Sequence, residues 1–222
     1  MLIKITNFLV RIHLVFVAEF MLSILSFMYG KNSRFKYSQG LWVLSDKNNK
    51  KYVNYFIDPR TNFENDWLDL YRDIFLHQFK PMENNVVVTI GANLGHELLV
   101  LNESMNNTGK ILCVEALPVL MPGLKMTIQN NNLSNCKTFN FAIGKQDNTF
   151  IEFSNRAENN LERSVYDNQG DEIVEVPVIT MDTFCTNESL NIIDCLYVNI
   201  EGAEVDLIEG FKSIDIVRKV SI

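Results

Sequence analysis

VVVTIGANLGH, residues Val86–His96, is the stretch whose reading decides the fold. Val86–Ile90 is an apolar run without polar alternation, the pattern of a strand covered on both faces. Gly91 and Gly95 then make a turn, and helical spacing begins directly after it. A strand, a glycine turn and a helix in that order leave free backbone N–H groups at the helix start, where a ligand carboxylate is welcome. The spacing is GxNxG. A pyrophosphate fingerprint reads GxGxxG, so Asn93 in place of the second glycine argues against a nicotinamide dinucleotide. Taken alone, the turn fits a βα loop with two sterically required glycines equally well.

Glu115 changes that balance. It ends the next apolar run, KILCVE, 20 residues after Gly95, where a carboxylate can accept hydrogen bonds from both hydroxyls of a ribose. The bland alternative is a solvated carboxylate at a strand end. Around this pair the chain alternates apolar runs and helical stretches: ELLVLNESM, KILCVEA, LMPGLKMTIQNN and CKTFNFAIG. Such βα units predict an α/β fold with a parallel sheet and helices on both faces. The polar stretch Lys145–Glu175, with strand signals at TFIEF and IVEVPVI, reads as a hairpin excursion or an active-site loop. A short helix at MDTFC, a strand at DCLYVNI, a helix at AEVDLIEGF and a last strand at IVRKVSI complete five core strands.

Upstream, residues 1–32 predict an apolar helix whose ionisable side chains before Lys31 are Lys4, Arg11, His13 and Glu19. A membrane anchor needs about 18 uninterrupted apolar residues, and Glu19 interrupts the best candidate. A buried or interfacial helix is therefore preferred over an anchor, and no small-residue cleavage site follows it. Residues 33–82 predict a hairpin, from GLWVLSDKNNKKYVNYFID, and then a helix, DWLDLYRDIFLHQFK, with Trp67, Leu70, Ile74 and Phe75 on one side and Pro81 ending it. The core occupies residues 83–222.

Net charge is −7, with no run of Lys and Arg interleaved with aromatics, so nucleic acid is not the expected partner. Cys113, Cys136, Cys185 and Cys195 form no CxxC pair and read as buried free thiols rather than metal ligands or disulfides; no metal is expected. The N-x-[ST] triplets at Asn102, Asn106, Asn132 and Asn187 do not place so Asn-rich a chain outside the cell. The expected location is the cytoplasm, with membrane association through residues 1–30 left open.

From about Asp66 to Phe211 the sequence resembles the FkbM family of S-adenosylmethionine-dependent methyltransferases. The ordered motifs are IGANLG for the family's VGANIG, VEALP for FEPNP, FAIG for AAVG, VPVITMDTF for VPVTTLDDF, and LYVNIEGAEVDLIEGF for LKIDVEGAELEVLKG. The resemblance implies a Rossmann-like class I sheet. That sheet has seven strands, so five strands here lead to the expectation of a C-terminally incomplete core. It also implies a methyl donor at the switch point: Gly91, Asn93 and Gly95 at its methionine part, Glu115 at its ribose, Phe141 and Ala142 at its adenine. The acceptor would enter over Asn199 and Glu201, with Glu201 as proton acceptor ahead of Glu204.

Thr89 and Asn199 stand where the family usually has Asp. Thr89 can offer the donor's ammonium only a hydroxyl, and Asn199 keeps the hydrogen-bonding shape but cannot act as a base. Glu97 either restores a negative charge near the donor or is a plain helix-start acid, and His96 reads as a packing or capping residue. Two functions stay open: O-methylation of a hydroxyl on a small molecule or glycan, and a donor-binding or structural protein that has lost catalysis.

Overall fold

The computed structural model describes residues 2–55, 59–60, 67–154, 173–200 and 202–221. Its centre is a five-stranded sheet in which every pairing is parallel. Strand β4 (Val86–Ile90) lies between β5 (Lys110–Val114) and β10 (Cys195–Val198), with β6 (Cys136–Phe139) and β11 (Val220–Ser221) at the two edges. The chain steps outward on one side, β4 to β5 to β6, then crosses back to build β10 and β11 on the other. The gap between the carboxyl ends of β4 and β10 is therefore the topological switch point, where open α/β sheets bind ligands.

Period-2 alternation divides the sheet residues between two cores. Val87, Ile111, Cys113, Cys195 and Tyr197 face α4 (Glu97–Ser104) and α5 (Met121–Asn130) through Leu98, Leu101 and Leu124. Val88, Ile90, Leu112, Val114 and Leu196 face α6 (Met181–Asn187) and α7 (Glu204–Glu209) through Phe184 and Leu207. Helices thus cover both faces, as the continuous apolar runs require.

The described ends of the polar excursion after the core's third strand belong to a second small sheet; residues 155–172 lie outside the described residues. The run CKTFNFAIG is not one strand: it breaks at Asn140, whose Nδ2 donates to the carbonyls of Glu115 and Ala116, both at 2.9 Å. The remainder forms β7 (Ala142–Ile143), which pairs in parallel with β9 (Ile173–Ile179), itself antiparallel to β8 (Thr149–Ser154).

The N-terminal third departs from expectation in three places. The apolar segment is two helices, α1 (Leu2–Arg11) and α2 (Val15–Met28), separated where His13 adopts φ 62°. The hairpin is a three-stranded meander, because β1 (Arg34–Ser38) pairs with β2 (Leu41–Ser45), which pairs with β3 (Lys51–Asn54). The helix before the core is only α3 (Asp69–Phe75), and it turns a different face inward. Leu68, Tyr71 and Phe75 pack on the core, whereas Trp67, Leu70 and Ile74 are exposed. Spacing of apolar residues was satisfied by either stripe, and Leu68 decided it.

One cluster ties the appendage to the sheet: Leu22, Phe35, Trp42, Leu44 and Tyr52 share it with Val87, Leu98 and Tyr197. At its margin Asn131, just past α5, acts as a backbone surrogate for the free edge of β3. Its Oδ1 accepts the Lys51 N–H at 2.9 Å and its Nδ2 donates to the Lys51 carbonyl at 2.8 Å. All four cysteines are free, three of them buried.

Candidate active site

Gly91 has φ +83°, and a Cβ there would run into the Asn199 carbonyl oxygen. The Asn199 N–H donates to the Ile90 carbonyl at 2.9 Å, so β4 and β10 touch backbone to backbone at the switch point. Asn93 follows with φ +48°, a left-handed conformation that Asn tolerates better than other side chains. Gly95 has φ +77°, and a Cβ there would sit 2.6 Å from Leu124 Cδ1. Its small size lets α5 close against the turn.

A cavity of about 280 Å³ opens over these carboxyl ends. That is at the lower edge of the range for small-molecule sites, about 300–1,000 Å³. Gly91, Asn93, Glu115, Phe141, Ala142 and Asn199 all line it. Six of the residues singled out from the sequence thus converge on one space.

Glu115 is 5% exposed, which removes the solvated strand-end reading. Both its oxygens are held by backbone: Oε2 accepts the Asn93 N–H at 2.7 Å and Oε1 the Leu117 N–H at 2.8 Å. Burial pushes its carboxyl above the ordinary range, while the N–H groups of Leu117, Asn93 and Ala116 pull it back. Each oxygen retains a second lone pair for a ligand hydroxyl. Nearby, Asn93 Oδ1 is buried with no hydrogen-bond partner among the described residues. An acceptor so placed beside a cavity is waiting for a donor.

The apolar wall comes from two sources. Phe141 is braced by Phe139 and Phe184, with ring centroids 5.8 Å away in each case. Leu117, Leu120, Phe150 and Phe153 complete it, and none of these was singled out from the sequence. The strand signal TFIEF was the only trace of Phe150 and Phe153, since nothing local tells which face of an excursion hairpin meets the core. Lys145 and Asp206 also line the cavity and pair at 3.6 Å.

Two expected site residues fall elsewhere. Thr89 belongs to the same alternating set as Val87, so it points away from the cavity, into the face covered by α4. Gly95 does not line the cavity and serves packing. Glu201 lies outside the described residues. Glu204 Oε2 accepts the Gly202 N–H at 2.8 Å, the behaviour of a helix-start acid.

Beneath the turn, His96 and Glu97 are both buried. His96 Nε2 lies 2.7 Å from the Val53 carbonyl, tying the turn to the meander, and burial lowers its pKa to about 4, so it is a neutral packing residue. Glu97 Oε1 has no partner among the described residues. Burial raises its carboxyl to about 8; its own N–H opposes this, the Glu115 charge adds to it, and the Thr89 hydroxyl opposes it. At neutral pH Glu97 is therefore protonated and restores no negative charge. Among the described residues no three His, Cys, Asp or Glu side chains gather to hold a metal ion.

With this geometry in place, residues 89–222 match the family model described as the methyltransferase FkbM domain. The chain belongs to the FkbM methyltransferase family. An FkbM methyltransferase from Methylobacillus flagellatus KT is similar at 13% identity and a TM-score of 0.47, over 64% of this chain and 33% of that one. Aeropyrum pernix fibrillarin, solved with natively bound S-adenosyl-L-methionine, gives 12% identity and a TM-score of 0.35 over 75% of this chain and 65% of its own. The METTL16 methyltransferase domain gives 14% and 0.36, over 78% and 65%. The FkbM chain thus spans a third of the length of the first of these and under two thirds of the other two. No curated protein matches it.

Proposed function

We propose that this FkbM-family chain binds S-adenosylmethionine in the switch-point cavity and methylates a hydroxyl on a small molecule or sugar. The observation that carries the reading is the convergence of Gly91, Asn93, Glu115, Phe141, Ala142 and Asn199 on one cavity. Residues 83–222 carry the site; within 33–82 strand β3 packs on α5 and helix α3 on α4, and 1–32 hold α1 and α2.

The residues present fit that donor. Glu115 offers spare lone pairs at the depth where a ribose would sit, and its backbone partners keep it from swinging away. Asn93 Oδ1 supplies an unused acceptor toward the ammonium end. Phe141, with Phe139 and Phe184 behind it, gives an aromatic surface for the adenine. The donor, once bound, supplies an electrophilic methyl group on a sulfonium. The chain's task is then to hold the acceptor oxygen in line and to take its proton. Asn199 is exposed at the cavity mouth, suited to orienting a hydroxyl through its amide. Glu201, two residues on, is the proton acceptor.

A second reading, donor binding without turnover, is favoured by one observation: Asn199, at the cavity mouth, has no ionisable side chain. Calorimetry with S-adenosylmethionine and S-adenosylhomocysteine tests what the two readings share. Both ligands are expected to bind, with Glu115→Ala weakening each at least about tenfold. A folded chain that binds neither overturns both readings. Donor binding with no S-adenosylhomocysteine released across a panel of hydroxyl acceptors, by wild type and Glu201→Gln alike, selects the second.

A further inference from the structure

We propose that the outward face of α1 and α2 docks on the surface of an anionic lipid bilayer. The observation is an inverted helix. In α2 the residues turned toward the protein are small or polar: Ala18, Ser26 and, with them, Leu22 are buried. Ser26 Oγ accepts the Ser33 N–H at 3.1 Å, and Ser23 Oγ accepts the Phe35 N–H at 3.3 Å. Glu19 points the same way, its Oε1 accepting the Tyr37 N–H at 2.8 Å. The large apolar side chains point out: Phe16 is 77% exposed, Phe20 60%, Phe27 70% and Met28 73%. A helix that faces water carries the opposite pattern.

The patch is contiguous in sequence. Eleven of the twenty-two exposed large apolar side chains among the described residues fall between Ile5 and Tyr29. Concentration of that kind marks an interaction surface. Charge chooses the occupant. The sequence of the two helices and the turn that leaves them, residues 1–33, holds the basic residues Lys4, Arg11 and Lys31 against the single acid Glu19, in a chain of net charge −7. Since Glu19 is engaged by β1, the outer face of the two helices presents aromatics with Arg11 and Lys31 beside them and, among the described residues of α1 and α2, no other carboxylate. A second copy would set two positive rims against each other, whereas anionic headgroups complement one. Length chooses the mode. Among the described residues no helix is long and apolar enough to cross a membrane. The break at His13 leaves segments that lie in the interfacial plane, aromatics down and basic groups at headgroup level.

Vesicle flotation of the full chain tests this, using phosphatidylcholine alone and phosphatidylcholine mixed with phosphatidylglycerol. The protein is expected to float with the mixed vesicles and to partition about tenfold less onto the neutral ones. The variant Phe16→Ser/Phe20→Ser/Phe27→Ser, altered only at exposed positions, is expected to lose at least about a hundredfold in partition while keeping its melting curve. Arg11→Glu/Lys31→Glu should erase the preference for anionic vesicles without touching the apolar face. Wild type remaining at the bottom of the gradient with mixed vesicles overturns the proposal, as does equal flotation by the triple-Ser variant. A dimer by light scattering that the triple-Ser variant dissolves, with no flotation, overturns it in favour of a second copy.

Discussion

Replacing Glu97 by Gln should flatten the pH dependence of stability in one window. The folded chain holds the Glu97 proton up to about pH 8, whereas an unfolded chain releases it near 4.5. Protonation therefore favours the folded state, a contribution fully present below pH 4.5 and lost as pH rises toward 8. Over the whole interval the linkage is worth about 5 kcal/mol, at roughly 1.4 kcal/mol for each pH unit. His96 runs the other way. Its pKa falls from 6.5 to about 4, so its contribution is present above 6.5 and lost on acidification. Between pH 4.5 and 6.5 the two largely cancel, which leaves pH 6.5–8 as the window where Glu97 acts without that opposition. Wild type should lose about 2 kcal/mol more than Glu97→Gln across it, read as urea midpoints at constant m-value. In a chain of this size the same difference lowers the melting temperature by roughly 4–8 °C. The Glu115 carboxyl, also raised by burial, gives a slope of the same sign in both proteins. Parallel curves for wild type and variant between pH 6.5 and 8 would refute the buried, protonated Glu97.

Three further outcomes are expected. In the Glu97→Gln background, where the opposing group is gone, lowering the pH from 6.5 to 4 should cost about 3 kcal/mol of stability through His96, and His96→Gln should remove that loss in the same titration. Gly91→Ala should destabilise by at least about 3 kcal/mol, since it combines a left-handed φ with a clash against the Asn199 backbone; a urea midpoint within error of wild type would contradict the contact. Asn131→Ala should cost about 1–3 kcal/mol and accelerate amide exchange at Lys51, whose N–H loses its acceptor.

The sheet was readable because Val86–Ile90 and Lys110–Val114 are buried on both faces, and a segment in that position has to be apolar throughout. Glu115 was readable for the opposite reason, as an ionisable group where an apolar run stops. Thr89 was misplaced although the information was present: strand alternation puts it on the side of Val87, away from the cavity. Strand β1 was missed because RFKYS is half polar, its sheet role resting on Phe35 and on pairing with β2. The aromatic wall from β8 could not be located beforehand, because which face of an excursion meets the core is a tertiary choice. The same holds for α3, where Leu68 outcompeted Trp67 for the interior.

The Asn131 clamp, with the cluster that joins Trp42 and Tyr52 to Val87 and Leu98, makes this chain hard to dissect. An expression fragment starting at Val86 would carry the nominal reaction module, yet it would bare the flank of α5 and the turn that His96 anchors to Val53. The practical minimum for recombinant work is the meander together with the sheet, melting as one cooperative block.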